Sequence, residues 1–600
     1  MIKNFDDFRG WLNLTQSTII KDNEFTVAKN VFYNNSKQLQ TRRWYRKFGD
    51  PLGSAPATSI FFFQRDDNLD RLLVAHAWWV FYKYDNTSAF SVVYSNNIEY
   101  ETRTGETTKR TRWDYAVYKN VIYMGDWVNP YASYDGTTHT IINTTSIWTT
   151  TADNTTDFFT KVAHWMSNND EVYFTTSWTI PSGITEYQVY YVVNKTNDTW
   201  QVSTTKWWSP VTFTTNWTGT LTTIKLNEPR CRYISYLADS LVWAWDDANP
   251  STLYYTDAAP SDWTNINQNF LVIGWDEAGK INALSEYNQL PIVFKDQKIY
   301  TATLTDPPTH EAIDAQTGWY SDRVIHSVGN TLVYFNERWI DTLTKRSWVG
   351  DTSGIESQPI SDNVRAIFEN VSERQYNANC WRYIKKINNY YVTVDTDNDN
   401  IPDTTLVYNS LVWSWTQYVF PPIYDYGYYI NDDNQYQFLF SHWSWGQLYE
   451  FEYGFDDDWV DIEVEIQSKN FDFGDPAQIK SFGFMDFVGY KQAWWVIDIS
   501  ILVDWETASL WQVTDDNINI DDETWAIWVN PIGVDPLWSI SGDTESDLLL
   551  YPFRVRVQLF ERWENIAFKL QSTWVQWILE KARVDVNWEP KEVFYYDNIL

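Results

Sequence analysis

LPIVFKDQKIYTAT, residues 290–303, is two short runs of β-branched and aromatic residues flanking the polar pair Asp296–Gln297. A run, a polar break and a second run read as an antiparallel hairpin. The arrangement returns in LLVAHAWWVFYKYD at 72–85, YAVYKNVIYMGD at 115–126 and SVGNTLVYFNERWIDTL at 327–343. It returns again in YYVTVDTDNDNIPDTTLVYN at 390–409 and QFLFSHWSWGQLYEFEY at 437–453. The recurrence is irregular, roughly every 40–60 residues, which matches propeller blades carrying insertions. A single hairpin sheet cannot bury both of its faces. Sheets stacked around an axis can, and ring closure shields their edges. The expected fold is all-β, an irregular β-propeller over residues 55–455. A β-sandwich with long insertions is the competing architecture.

The pattern changes near residue 455. DIEVEIQSKNFDF, WWVIDISILVD, YPFRVRVQLFE and NIAFKLQSTWVQWILEKARVDV alternate over longer stretches, as strands of a sandwich do. Residues 456–600 are expected to form a separate, C-terminal β-sandwich-like domain. Residues 1–54 show little periodicity and read as an N-terminal attachment segment. They carry a basic cluster, Arg42, Arg43, Arg46 and Lys47.

Composition narrows the function. The chain has 79 acidic and 45 basic residues, a formal charge of −34. That excludes sequence-independent binding to the outside of a nucleic acid, which needs a positive surface. It is compatible with an acidic channel through which DNA passes without adhering. Two cysteines, Cys231 and Cys380, make no disulfide framework. There is no run of about 18 apolar residues, so no membrane span is expected.

The chain holds 37 Trp and only 22 Gly. Average usage would give about 7% glycine, roughly 42 residues here. Many tryptophans stand where a turn wants glycine: Trp11 after Gly10, Trp44 before Tyr45, Trp78, Trp79 and Trp275. Asp126-Trp127, Asp458-Trp459 and Asp504-Trp505 have the shape of Asp-Gly turns, and Asn587-Trp588 that of an Asn-Gly hairpin. The expectation is a gene whose UGA codons mean glycine but are written as tryptophan. Some indoles would be genuine, Trp415 among them. The alternative is a Trp-rich surface for binding sugars.

The six histidines form no HExxH and no metal-spaced pair, and no G-x-S-x-G elbow, phosphate loop or dinucleotide fingerprint occurs. An enzyme is not expected. The best metal candidate is DTDNDNIPD at 395–403, where Asp395, Asp397, Asp399 and Asp403 could wrap a structural Ca²⁺ with oxygen ligands. It departs from the EF-hand loop in lacking the glycine at position 6 and the glutamate at 12. A plain polar hairpin loop is the competing reading.

Four stretches carry a family resemblance. In FRGWLNLTQSTIIKDNEFTVAKNVFYNNSKQLQTRRWYRKFGD at 8–50 the matching residues are Asp22, Asn23, Glu24, Ala28, Asn30, Val31, Arg43 and Tyr45. In residues 248–303 they are Asp276, Glu277, Gly279, Lys280 and Ile281; in 403–418, Val407, Tyr408, Asn409, Trp415 and Thr416. KNFDFGDPAQIKSF at 469–482 is the fourth. Together they resemble tail structural proteins of tailed bacteriophages, of the propeller-containing nozzle or stabilisation type. The resemblance implies a virion protein, made in the host cytoplasm, that assembles as a homo-oligomeric ring, commonly of six, below the portal and adaptor. DNA would leave through that ring without specific binding. The candidate assembly contacts are Asp22, Glu24, Arg42 and Arg43. A carbohydrate-binding propeller adhesin is the alternative.

Overall fold

The computed structural model describes the chain except residues 96–111, 257–268, 314–324, 346–354, 369–379, 453–461, 474–479, 514–549 and 589–600, and shorter stretches of at most five residues. Six four-stranded antiparallel sheets, and four antiparallel strands at one end of a nine-stranded sheet, are found among the described residues. Their first strands are Ala57–Gln64, Asp114–Tyr118, Tyr233–Leu237, Ile281–Tyr287, His326–Val328, Cys380–Ile384 and Ile423–Ile430. We number the blades one to seven in that order. First strands of neighbouring blades lie side by side except between blades four and five, and that of blade one touches that of blade seven. Blades four and five join through a shared core in which Phe294 meets Tyr334 at 5.6 Å between ring centroids. The ring is therefore closed, and the fold is a β-propeller.

Three of the two-residue links between blade strands are tight hairpin turns. Lys119–Asn120, Ala238–Asp239 and Asn288–Gln289 link the first and second strands of blades two, three and four, each with two consecutive positive φ values. Such primed turns match the right-handed twist of the strands they join.

Blade seven takes three strands from its own stretch, Ile423–Ile430, Tyr436–His442 and Leu448–Phe451. Its fourth is Tyr45–Phe48, paired in register from Leu448↔Phe48 to Phe451↔Tyr45. Tyr45 meets Phe440 and Tyr449 edge-on, both at 5.5 Å. Arg46 donates to Glu450 Oε2 from Nη2 at 2.8 Å and from Nε at 3.0 Å. The N-terminal segment thus closes the ring and covers an edge that would otherwise be open.

Residues 55–455 are not all blades. Between blades two and three, six strands from Thr144–Asp153 to Leu221–Leu226 close into a separate barrel. Its core is Phe159, Met166, Phe174, Trp200 and Phe213. EVYFTTS, YQVYYVV and VTFTT belong to this barrel or its loops. They have the same residue types as blade strands, so composition could not separate them.

The C-terminal domain is a sandwich, as its alternation predicted. One sheet runs Phe25–Lys29, Glu463–Ser468, Ile566–Thr573, Ile497–Val503, Glu506–Val513, and it continues the sheet of blade six. The other runs Val31–Tyr33, Leu39–Thr41, Trp577–Trp588, Lys480–Gln492, Leu550–Trp563, with Ile2–Phe5 also paired to Trp577–Trp588. Ile499 and Ile501 stand opposite Leu570 and Phe568, and all four are buried. Facing them from the second sheet are Met485, Phe487, Val555, Val557 and Val584. Each such side chain contributes about 1.5–3 kcal/mol by leaving water.

Two expectations are corrected. Residues 1–54 are no separate attachment segment: they supply four strands to the sandwich and one to the propeller. Their partners lie hundreds of residues away, which local periodicity cannot reveal. Trp588 does not sit in a hairpin turn; it ends a strand opposite Lys480. No helix among the described residues is long and apolar enough to cross a membrane.

Candidate functional site

The N-terminal segment bends at Asn30, between the sandwich strands Phe25–Lys29 and Val31–Tyr33. Asn30 is left-handed, with φ of 57°, a conformation asparagine tolerates better than most residues. That bend moves the chain from one sheet of the sandwich to the other. The buried side chain then joins three segments. Its Oδ1 accepts from Arg42 Nε at 2.8 Å and from the Val419 amide, just after blade six, at 2.7 Å. Its Nδ2 donates to the Glu463 carbonyl, at the start of the sandwich, at 2.7 Å. The Asn30 amide donates to the Gln417 carbonyl at 2.7 Å, and the Arg42 amide donates to the Asn30 carbonyl at 2.9 Å.

Arg42 is 1% exposed. Besides Asn30, it donates to the carbonyls of Arg43 and Val419, each at 3.0 Å. Its guanidinium lies 4.9 Å from the Phe420 ring centre, a desolvated cation–π arrangement. Nearby, Tyr391 donates to Glu452. Burial raises the Glu452 carboxyl above its ordinary range, while the Tyr391 hydrogen bond and the positive charges of Arg43 and Arg42 oppose that rise.

The four predicted assembly residues therefore separate. Glu24 is buried and accepts from Asn13 Nδ2 at 2.9 Å and from the Lys21 amide at 2.8 Å. Glu24 and Arg42 are part of the monomer's interior, so the expectation that they face a partner is corrected. Asp22 stays 49% exposed while it accepts from Lys469 Nζ at 2.9 Å, and Arg43 is half-buried. These two retain surface that another chain could reach.

The residues that carried the resemblance recur as joints. Asp22 pairs with Lys469, which opens the fourth matching stretch. Asn409 Oδ1 accepts the amides of Leu411 and Val412 at 3.0 and 3.2 Å, and its Nδ2 donates to Asn389 Oδ1 at 2.8 Å. The buried Trp415 indole donates to the Ile360 carbonyl at 2.8 Å. Sequence reading flagged these positions but missed Asn30 as the node, although Asn before Val in an otherwise apolar strand was visible.

In the acidic loop, carboxylate oxygens of Asp395, Asp397 and Asp399 lie within 4.8 Å of one another. Asp395 is buried at the strand end and the other two are exposed. Asp397 Oδ1 accepts the Asp399 amide at 3.2 Å, and Asp399 Oδ1 accepts the Ile401 amide at 2.7 Å. The three carboxylates could hold a hard cation; they equally fit a polar loop shaped by its own amides. Asp403 lies outside the described residues, as do Trp11, Trp78, Trp79, Trp127, Trp275, Asp276, Glu277, Trp459 and Trp505.

A second buried polar cluster sits between blades one and two. His76 is sandwiched by Trp113 at 4.3 Å and Phe81 at 4.7 Å, and its Nδ1 is 2.6 Å from Tyr115 Oη. His139 stacks on Tyr94 at 4.1 Å. Both Nε2 atoms are buried without a hydrogen-bond partner among the described residues. Burial, and then the neighbouring His139, holds His76 well below the ordinary histidine range; burial takes His139 down to about 4.

No family model and no curated protein matches the chain. Solved structures that match include the computationally designed Ika8 protein, at 10% identity and a TM-score of 0.31, over 68% of this chain and 99% of that one. The β-propeller domain of Cps50 (Swd1) from Myceliophteria thermophila matches at 7% identity and 0.33, over 69% and 100%. BBS1N in complex with ARL6DN matches at 10% and 0.34, over 68% and 97%. The seven-bladed ring itself is defined by the chain's own strand pairing.

Proposed function

We propose that this chain is a structural protein of a phage tail, a nozzle or head-to-tail stabilisation subunit that assembles as a closed homo-oligomeric ring around the DNA exit path. The observation that carries the reading is where the resemblance residues lie. Asp22, Glu24, Asn30, Arg43, Tyr45, Asn409 and Trp415 sit at or beside the joints where the N-terminal segment sews propeller to sandwich. They are scaffold residues, and a part that holds pressurised DNA needs its domains tied together. The formal charge of −34 supports a bore that repels a polyanion rather than trapping it. Portal, adaptor and other tail proteins would be its partners, and the virion its location. Asp22 and Arg43 are the contacts left to test in the N-terminal segment.

Electron microscopy of the purified protein tests the proposal. Closed rings with a central channel are expected, and R43E should weaken them while leaving the monomer folded. Monomers at every concentration that bind a glycan array would replace this reading with the adhesin.

A further inference from the structure

We infer that position 413 is glycine in the protein as its native host makes it, and that the written tryptophan there is a misread codon. This stands apart from the tail reading and rests on backbone geometry.

Among the described residues, three large apolar side chains are left-handed: Trp245 at φ 64°, Trp413 at 62° and Phe473 at 50°. A bulky residue there is a conformational outlier, whereas glycine occupies it freely. Phe473 at least has its ring against Phe482 and Phe471, at 5.9 and 6.1 Å. Trp413 has no such reason. It is the last residue of the 410–413 loop joining Thr404–Asn409 to Ser414–Tyr418. Its amide donates to the Asn409 carbonyl at 2.8 Å, so the loop needs a left-handed residue at that place. Its indole is 62% exposed, and among the described residues it stacks on no ring and donates no hydrogen bond.

Two residues further on, Trp415 is the opposite in every respect. It is fully buried, its Nε1 donates to the Ile360 carbonyl at 2.8 Å, and its ring lies 5.0 Å from Tyr408. One hairpin thus contains a tryptophan the fold needs and one that a turn excludes. Trp245 follows the strand Ser240–Ala244 and precedes the turn in which Asp246 accepts the Asn249 amide at 3.1 Å. Its ring is buried in a hydrophobic core, 5.7 Å from that of Tyr233, with Lys280 Nζ at 4.0 Å and the Arg232 guanidinium at 4.9 Å. Like Phe473 it has ring packing that rewards the large side chain, so position 245 is not assigned. Trp243, fully buried within that same strand, remains tryptophan. Trp44 is buried in the main core and is not left-handed, so this criterion does not assign it. Removing the exposed indole at 413 also takes a sugar-stacking platform from the adhesin alternative.

Digestion of the native protein before aspartate releases residues 403–424, which hold both 413 and 415. Tandem mass spectrometry should read glycine at 413 and tryptophan at 415. Tryptophan at 413 overturns the inference, and glycine at 415 overturns the geometric rule behind it. Recombinant protein carrying tryptophan throughout gives an independent readout. There W413G should shift the folding equilibrium toward the native state by about 5- to 30-fold, and W415G should shift it the other way. A W413G variant no more stable than its parent refutes the strain argument.

Discussion

Replacing Asn30 tests whether one side chain ties the three segments together. Asn30→Ala removes two accepted hydrogen bonds, from Arg42 Nε and the Val419 amide, and one donated to the Glu463 carbonyl. A neutral bond of this kind contributes about 1 kcal/mol net, and one to a charged group about 2 kcal/mol. The three together come to about 4 kcal/mol. Alanine at φ 57° adds about 1 kcal/mol of backbone strain. The predicted loss is about 5 kcal/mol, a large share of an ordinary stability of roughly 5–15 kcal/mol. Asn30→Gly removes the strain and keeps the hydrogen-bond loss, so it should cost about 4 kcal/mol. Asn30→Asp keeps both acceptors and forfeits only the donation to Glu463, so it should cost about 1–2 kcal/mol. Urea midpoints would rank the variants, Asp above Gly above Ala. Calorimetry should show propeller and sandwich melting together in the parent and separately in Asn30→Ala. A loss below about 1 kcal/mol for Asn30→Ala, or an Asp variant as unstable as the Ala variant, would refute the node.

Arg42→Glu should unfold the monomer, because it puts a carboxylate beside Glu452 and strands the Asn30 and Val419 acceptors, a loss above about 3 kcal/mol; Arg43→Glu should leave the circular dichroism melt unchanged. Acid should weaken the seam between blades one and two. His76 and His139 have folded pKa values below the ordinary 6.5, so the unfolded chain binds more protons in acid; their contribution is complete above pH 6.5 and is lost as pH falls toward about 4. His76→Phe should therefore flatten the melting temperature between pH 6.5 and 4, and an unchanged slope would remove His76 as the cause. For the acidic loop, the sequence expectation is that calcium raises the melting temperature and that Asp399→Asn abolishes the rise; identical melts in calcium and chelator would leave Asp395, Asp397 and Asp399 as a polar loop.

Six of the seven blades were legible because the hairpin that marks each is local; blade three, Tyr233–Val272, was not among the repeats. LPIVFKDQKIYTAT pairs with itself across two polar residues. The sandwich strands were legible for the same reason, down to the alternating burial of Ile497, Ile499, Ile501 and Val503. The strand Lys480–Gln492 escaped notice because Gly483 and Gly489 interrupt its apolar pattern. The inserted barrel was hidden by likeness, since Val172, Phe174 and Tyr190 are what a blade would also use. The N-terminal strands were hidden by distance. Nothing near YRKF says that its partner is Leu448–Phe451. The candidate residues failed for a related reason: a charged side chain in a polar stretch reads as exposed, and only the long-range packing of Phe420 and Tyr418 over Arg42 makes it interior.

Residues 25–48 perform two closures in one stretch. Phe25–Thr41 completes both sheets of the sandwich, and Tyr45–Phe48, a few residues on, completes blade seven. Neither domain can therefore keep its full set of strands if the other is cut away at residue 455. The sandwich would lose Phe25–Lys29 and Val31–Tyr33, or the propeller its closing strand. Asn30 and Arg42 lie within this stretch, one at the sandwich bend and the other just before the propeller strand, and they bond to each other. A buried arginine is a poor source of stability on its own. Here it holds two closures in fixed relation, through a hydrogen bond to the bend, a carbonyl at the end of blade six and a ring at the start of blade seven. Its desolvation is the thermodynamic cost of making two folds behave as one rigid part.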